Sequence, residues 1–187
     1  NKNFKPFYQN QSILDIKIQQ LEKIKKIKKI FISSDKTDLK KYNNSKIQFI
    51  KRERKFCNNI IPWSRMIKNV INSLPANDKD IVLWCHTTSP LFDKFDLALT
   101  RFLKYEKKGF DSLLTTSEYK GFLLDTNLSP INYQWGKWHK YSQNIKSKFY
   151  NVNGALFIAR KKTYIEYEYV IGNNPINYKC NDLESID

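Results

Sequence analysis

The sequence predicts an α/β domain whose mainly parallel sheet is covered by helices in three layers. Short β-rich apolar runs alternate with segments of helical period, which is the pattern of strands joined through crossover helices. The chain has 187 residues, 41% hydrophobic and 14% aromatic, enough for one domain with a real core and too much core material for a disordered chain. Its longest apolar stretches, such as "IVLWC", fall far short of the ~20 residues that a membrane-spanning helix needs.

Taken in chain order, the first helix is expected over Ser12 to Lys25, with Ile13, Ile16, Leu21 and Ile24 as its apolar positions. Strands follow at Lys29 to Ser33 ("KIFIS") and Ile47 to Lys51 ("IQFIK"). Asp35 is read as capping the turn after the first of these rather than as a metal ligand. A second helix spans Trp63 to Leu74, where Met66, Ile67, Val70, Ile71 and Leu74 recur at steps of three and four. The strand "IVLWC" (Ile81 to Cys85) comes next. Asp93 is the expected N-cap of a helix through Phe95, Leu99, Phe102 and Leu103, which Gly109 ends. Strands at Ser112 to Thr116 and Ala155 to Ala159 complete the sheet. Between them, residues 119–150 break the alternation. Tyr133, Trp135, Trp138 and Tyr141 stand there among Gly, Pro, Asn and Lys without helical period, which reads as an irregular β excursion. Such a segment is either functional, often a subunit contact, or a local aromatic minicore.

The formal net charge is +15, and the stretch from Lys17 to Lys55 holds 14 basic and 4 acidic residues. An anionic partner fits this balance. A Lys-, Asn- and Ile-rich composition throughout the chain produces the same surface with no polymeric partner, so neither nucleic acid nor membrane is expected. Cys57, Cys85 and Cys180 are odd in number and far apart, unlike a disulfide framework or a metal knuckle, and suit a reducing cytoplasm.

Ligands of open α/β sheets sit beyond the carboxyl ends of the strands. Here those ends carry Ser33-Ser34-Asp35 and His86-Thr87-Thr88-Ser89-Pro90-Leu91, while Asn153-Gly154 precedes the last strand. Hydroxyls, an imidazole, a carboxamide and a carboxylate suit a polyhydroxylated, phosphorylated substrate.

In this order, "KNFKPF", "IFISSD", "FIKR", "HTTSPL", "NVNGALFIAR" and the terminal "ESID" resemble motifs of the acylneuraminate cytidylyltransferase family. The resemblance covers most of the chain. It implies a nucleotide-diphospho-sugar transferase-like, Rossmann-like domain over residues 1–187, with residues 119–150 as a dimerisation and substrate excursion. It also implies a magnesium-dependent nucleotidyltransferase that moves CMP from CTP to a sialic-acid-like keto-sugar, releases pyrophosphate and serves surface glycan synthesis as a homodimer.

By the same resemblance, Lys2 and Asn3 match the phosphate-holding pair, and Lys2 is the catalytic cation for charge moving onto pyrophosphate. Arg52 matches the cytosine-reading arginine, with Arg54 as the other candidate two residues on. His86, Ser89, Gln143, Asn153 and Gly154 match the sugar side, and Asp187 matches the first aspartate of a magnesium pair.

Four departures qualify these expectations. His86 stands where the family has Gln, so the sugar specificity of well-known members does not transfer. Phe92 stands where a basic residue often follows the turn. The family's first strand and glycine loop, and its second metal aspartate, have no counterpart, so the residues given are expected to be part of a longer polypeptide. Alternatives are a sibling enzyme for an eight-carbon or other sugar acid, a catalytically inactive nucleotide-binding module and, behind these, a basic nucleic-acid-binding protein.

Overall fold

A computed structural model describes residues 2–145 and 149–186. The chain opens with a small antiparallel hairpin, β1 (Pro6–Tyr8) and β2 (Gln11–Ser12), which leads directly into helix α1 (Ile13–Glu22). Ser12 caps that helix. Its hydroxyl accepts from the Asp15 amide at 3.2 Å, and the Asp15 carboxylate accepts from the Ser12 amide at 2.8 Å, closing a reciprocal capping box. At the other end Lys46 Nζ donates to the carbonyl of Glu22 (2.7 Å), an oxygen in the open last turn, and to that of Ile24 (3.0 Å) just beyond the helix.

Two parallel strands follow, β3 (Ile30–Ser34) and β4 (Ile47–Lys51), with Ile30 opposite Ile47 and Ser34 opposite Lys51. Next come α2 (Trp63–Ser73), β5 (Ile81–Trp84), α3 (Phe95–Glu106), β6 (Ser112–Tyr119), β7 (Phe149–Arg160), α4 (Lys161–Tyr167) and β8 (Pro175–Lys179). The last four strands form one sheet in the order β5-β7-β6-β8. Within it β7 runs antiparallel to both neighbours, while β6 and β8 are parallel.

Strand β7 shows why its sequence is a continuous apolar run. Successive side chains of a strand point to opposite faces. Leu156 and Ile158 enter a core with Leu14 and Ile18 of α1 and Phe95 and Phe102 of α3. Phe157 and Ala159 enter a second core with Ile67 and Ile71 of α2 and Tyr164 of α4. Both faces are covered, so both alternations must be apolar. The three layers are thus α1 and α3, the sheet, and α2 and α4.

Strand β5 is as apolar as β7, yet its four residues are only half-buried. One of its edges pairs with β7; the other faces β3, whose only ladder among the described residues is with β4. Between the open edges of β3 and β5 lies a slot-like cavity of about 1260 Å³, walled by Leu14 and Ile18 on one face and Val70 and Leu74 on the other.

Several local expectations are corrected. The cap of α3 is Lys94 rather than Asp93, with no side-chain bond to the helix, and the Asp93 carboxylate pairs with the Lys94 ammonium at 2.8 Å. The turn after β3 is held by Ser34 rather than Asp35: Ser34 Oγ accepts from the Lys36 amide at 3.2 Å. The β character of the 119–150 region sits in two arms, with β6 and β7 paired out to Tyr119 opposite Phe149. Between the arms, the described residues form one isolated bridge (Leu124 with Pro130) and two short 3-10 turns. A ring cluster of Phe122, Tyr133 and His139 packs there, with centroids 4.7 to 5.5 Å apart. Where the β6–β7 register shifts near Thr115, its hydroxyl donates to the Leu156 carbonyl (3.1 Å) and accepts from the Leu156 amide (3.0 Å), replacing the ladder bonds lost at the irregularity. No described helix is long and apolar enough to cross a membrane.

Candidate functional site

The slot runs from the amino ends of β3 and β5, lined there by Lys28, Lys29 and Asp80, to their carboxyl ends, where a mouth gathers the polar groups that follow the strands. Ser33, Ser34 and Asp35 come from β3, Arg52 from the residue after β4, and Thr87 and Thr88 from the turn after β5; Asn3 reaches the mouth from the short 3-10 turn Lys2–Phe4. Arg52 is fixed by its backbone, whose N–H donates to the Ser34 carbonyl at 2.8 Å and continues the β3–β4 ladder by one step. Its Nη1 donates to Met66 Sδ on α2 at 3.3 Å.

Three buried polar atoms around this mouth have no hydrogen-bond partner among the described residues: Asn3 Oδ1, Ser33 Oγ and Arg52 Nε. A buried polar group left unpaired costs about 1–3 kcal/mol. All three belong to residues that line one cavity, and as an amide acceptor, a hydroxyl and a guanidinium donor they suit a polar ligand that offers both donors and acceptors. Arg54 is exposed and does not line the cavity, so the geometry brings Arg52 rather than Arg54 to the mouth.

Beside the mouth, His86 is seated in an aromatic wall. Its ring centroid lies 6.2 Å from Trp63 and 6.2 Å from Phe157, while Trp63 meets Tyr169 edge-on at 5.3 Å. Gly154 faces the imidazole with φ +69°. Asn153 turns its Oδ1 onto the Ala155 amide at 3.2 Å and leaves Nδ2 buried without a partner among the described residues.

The remaining sequence-derived candidates are dispersed. Ser89 is 1% exposed and lies outside the cavity lining. Gln143 is exposed in the turn Ser142–Asn144, also outside the cavity. Lys2 opens the 3-10 turn that carries Asn3. Asp187 falls outside the described residues. Phe92 is fully buried core.

Sequence reasoning missed Trp63 and Met66 in the lining, because Met66 is one of the periodic apolar positions of α2 and Trp63 is its first residue, directly after Pro62. It also missed Lys17, hidden in the apolar stripe of α1.

Among the described residues no group of three or more His, Cys, Asp or Glu side chains is placed to hold a metal ion. Asp35 is the carboxylate at the strand-end mouth. One carboxylate is a sufficient protein contribution for magnesium that arrives with a polyphosphate, since phosphate oxygens and water complete its octahedron.

No protein-family model matches the chain, and no curated protein matches it. Solved structures do. The chain is similar to the Francisella tularensis 2-C-methyl-D-erythritol 4-phosphate cytidylyltransferase at 12% identity and a TM-score of 0.67, covering 97% of this chain and 85% of that one. It is similar to the 4-diphosphocytidyl-2C-methyl-D-erythritol synthase of Anaerococcus prevotii at 10% identity and a TM-score of 0.65, covering 95% and 81%. A CMP:2-keto-3-deoxy-manno-octonic acid synthetase complexed with CTP is similar at 7% identity and a TM-score of 0.58, covering 96% and 83%. At these identities the likeness concerns the fold: the chain has the three-layer α/β fold of the nucleotide-diphospho-sugar transferase-like class.

Proposed function

We propose that the protein is a cytidylyltransferase that transfers CMP from CTP to an acidic keto-sugar and releases pyrophosphate. The observation that carries this reading is one cavity at the strand ends lined by Asn3, Ser33 and Arg52, each with a buried side-chain polar atom that has no partner among the described residues. Support comes from the fold likeness to structures titled as cytidylyltransferases, one of them complexed with CTP.

In this reading the sugar hydroxyl oxygen attacks the α-phosphorus of CTP. The new P–O bond forms as the bond to the β-phosphate bridging oxygen breaks, the pair leaves on pyrophosphate, and the hydroxyl proton passes to solvent. Arg52 presents guanidinium donors to the carbonyl oxygen and ring nitrogen of cytosine. Asn3, with Lys2 beside it in sequence, holds the phosphates where negative charge accumulates. Thr87, Thr88 and His86 face the acceptor, with Gly154 allowing the imidazole its place. Magnesium, bound with the triphosphate, would neutralise its charge; Asp35 would hold it, with Asp187 as a second carboxylate.

The acceptor is proposed to be a nine-carbon nonulosonic acid, with eight-carbon keto-acid sugars as the sibling reading. Residues 119–150 are proposed to mediate a homodimer, with Gln143 reaching acceptor across it. Exposed Trp135, Trp138 and Tyr141 support that contact. An extended segment seated between β3 and β5 would make the two ladders one sheet and one domain.

Pyrophosphate release with magnesium, each of the four common nucleoside triphosphates and a panel of eight- and nine-carbon keto-acid sugars tests the proposal. Release with CTP and one sugar class supports it. Folded protein that binds CTP without turnover across the panel supports the inactive binding module instead.

A further inference from the structure

Lys17 lies on the buried face of α1 and is 2% exposed. Burying an ammonium is costly unless its protons are used, and here they are spent on the backbone of a distant turn. Lys17 Nζ donates to the carbonyls of Ser89 at 2.8 Å and Phe92 at 3.1 Å, and stands 4.8 Å from the Phe95 ring centroid. Three residues along the same helix face, Gln20 Nε2 donates to the Pro90 carbonyl at 2.7 Å. One helix therefore grips three carbonyls of a four-residue turn. Among the described residues that turn is otherwise closed by the Phe92 amide donating to the Ser89 carbonyl at 3.3 Å. Its N-terminal flank is Thr87-Thr88, which lines the cavity mouth.

An apolar side chain at position 17 would fill the same core without the desolvation of a charge. What lysine provides instead is placement, because charge-assisted bonds to fixed carbonyls are stronger and more directional than packing. We propose that Lys17 and Gln20 are positioning residues, a clamp from α1 that fixes the Ser89–Phe92 turn and thereby holds Thr87 and Thr88 at the mouth of the site.

The charge on Lys17 is part of the clamp. The groups that face it are Cys85 at the end of β5 and Asp93 before α3, and Asp93 itself pairs with Lys94. Burial lowers the Lys17 ammonium to about 8. Deprotonation leaves two N–H donors on the amine but removes their charge assistance, so the clamp weakens as pH rises through that range.

Amide hydrogen exchange, read by NMR and corrected for intrinsic rates, tests the clamp independently of any activity. Lys17→Met should speed exchange of the Phe92 amide roughly tenfold or more, while the Ile158 amide in β7 stays within about twofold. In the wild type, Phe92 exchange should rise between about pH 7 and 9.5 toward the level of the variant, which should itself be flat. Gln20→Ala should speed exchange at the turn without changing the pH profile. Equal protection of Phe92 in Lys17→Met and wild type, or equal acceleration at Ile158, overturns the proposal. If Lys17→Met does not fold, a wild-type Phe92 profile that is flat across the range overturns it. The kinetic arm rests on the proposed cytidylyl transfer: Gln20→Ala should raise KM for the acceptor and leave KM for CTP within about twofold. A chain with no such activity would fail that arm while leaving the exchange result standing.

Discussion

The imidazole of His86 occupies the space into which a side chain at Gly154 would project. A Cβ at 154 would lie 2.9 Å from His86 Nδ1, on a backbone with φ +69°. Glycine is therefore required twice, by the ring and by the left-handed conformation. Gly154→Ala should lower the unfolding free energy by about 2 kcal/mol, of which about 1–2 belongs to the conformation alone. Denaturant titration checks this. In a His86→Ala background the same substitution should cost less, because only the conformational part remains. Equal costs in both backgrounds would remove the ring from the explanation.

Arg52 and Arg54 are two residues apart and differ in what they face. Arg52 lines the cavity with Nε unpartnered among the described residues, and Arg54 is exposed. Arg52→Ala should raise KM for CTP by roughly 10- to 100-fold, the loss of charged hydrogen bonds worth about 1.5–3 kcal/mol. Arg54→Ala should stay within about twofold, since exposed substitutions away from special features have small effects. Steady-state kinetics with CTP varied decides between them, and the reverse ranking would shift the nucleotide site by two residues.

Lys17 also sets a pH dependence of global stability, with a sign opposite to that of its turn. Its folded value of about 8 lies below its ordinary 10.5, so between those values the unfolded chain binds the extra proton and stability rises with pH. The rise from this group is about 3 kcal/mol over the window. Burial pushes Cys85 up and Tyr42 up to about 12; these acidic groups lower stability as pH rises, so the quantity to read is wild type minus Lys17→Met. That difference, from urea titrations between about pH 7 and 10.5, should climb with pH. A flat difference would mean that Lys17 is not held as a buried ammonium.

The 119–150 region exposes Trp135, Trp138 and Tyr141 at 56%, 67% and 75%. If these rings meet a second copy, sedimentation equilibrium should give a dimer at micromolar protein, and Trp138→Ser with Tyr141→Ser should shift it toward monomer at least about tenfold in Kd. A wild-type monomer throughout would remove the dimer from the account.

Much of the sheet was legible because its strands are local apolar runs: β4 spans the same residues in sequence and structure, β3 is shifted by one residue at both ends, and β5 ends one residue early. Helix α2 was equally plain, since Ile67, Val70 and Ile71 recur at helical spacing and are all buried. Strand β8 was not, because "PINYK" buries only Ile176 fully and takes its place as an edge through pairing with β6, far away in sequence. Helix α4 begins immediately after β7 and hides Lys161, whose Nζ donates to the carbonyls of Leu74 (3.0 Å) and Ala76 (2.9 Å).

Lysine was the main source of error. A charge run reads as a solvated face, yet Lys17, Lys46 and Lys161 each bind two backbone carbonyls of a segment remote in sequence. Nothing local distinguishes them from their exposed neighbours. At the site, Ser33, Arg52 and His86 could be found as strand ends. The burial that leaves Asn3 Oδ1, Ser33 Oγ and Arg52 Nε without partners among the described residues depends on the meeting of the opening 3-10 turn with two strand ends and is visible only in the fold.

Phosphorus NMR of the protein with CTP, magnesium and a keto-acid sugar tests the central claim most directly. The account predicts loss of the three CTP resonances with equal appearance of a CMP-sugar phosphodiester and pyrophosphate, abolished or strongly slowed by Arg52→Ala. Folded protein that leaves CTP intact with every sugar acid, and binds it no better than the other nucleoside triphosphates, would contradict the account.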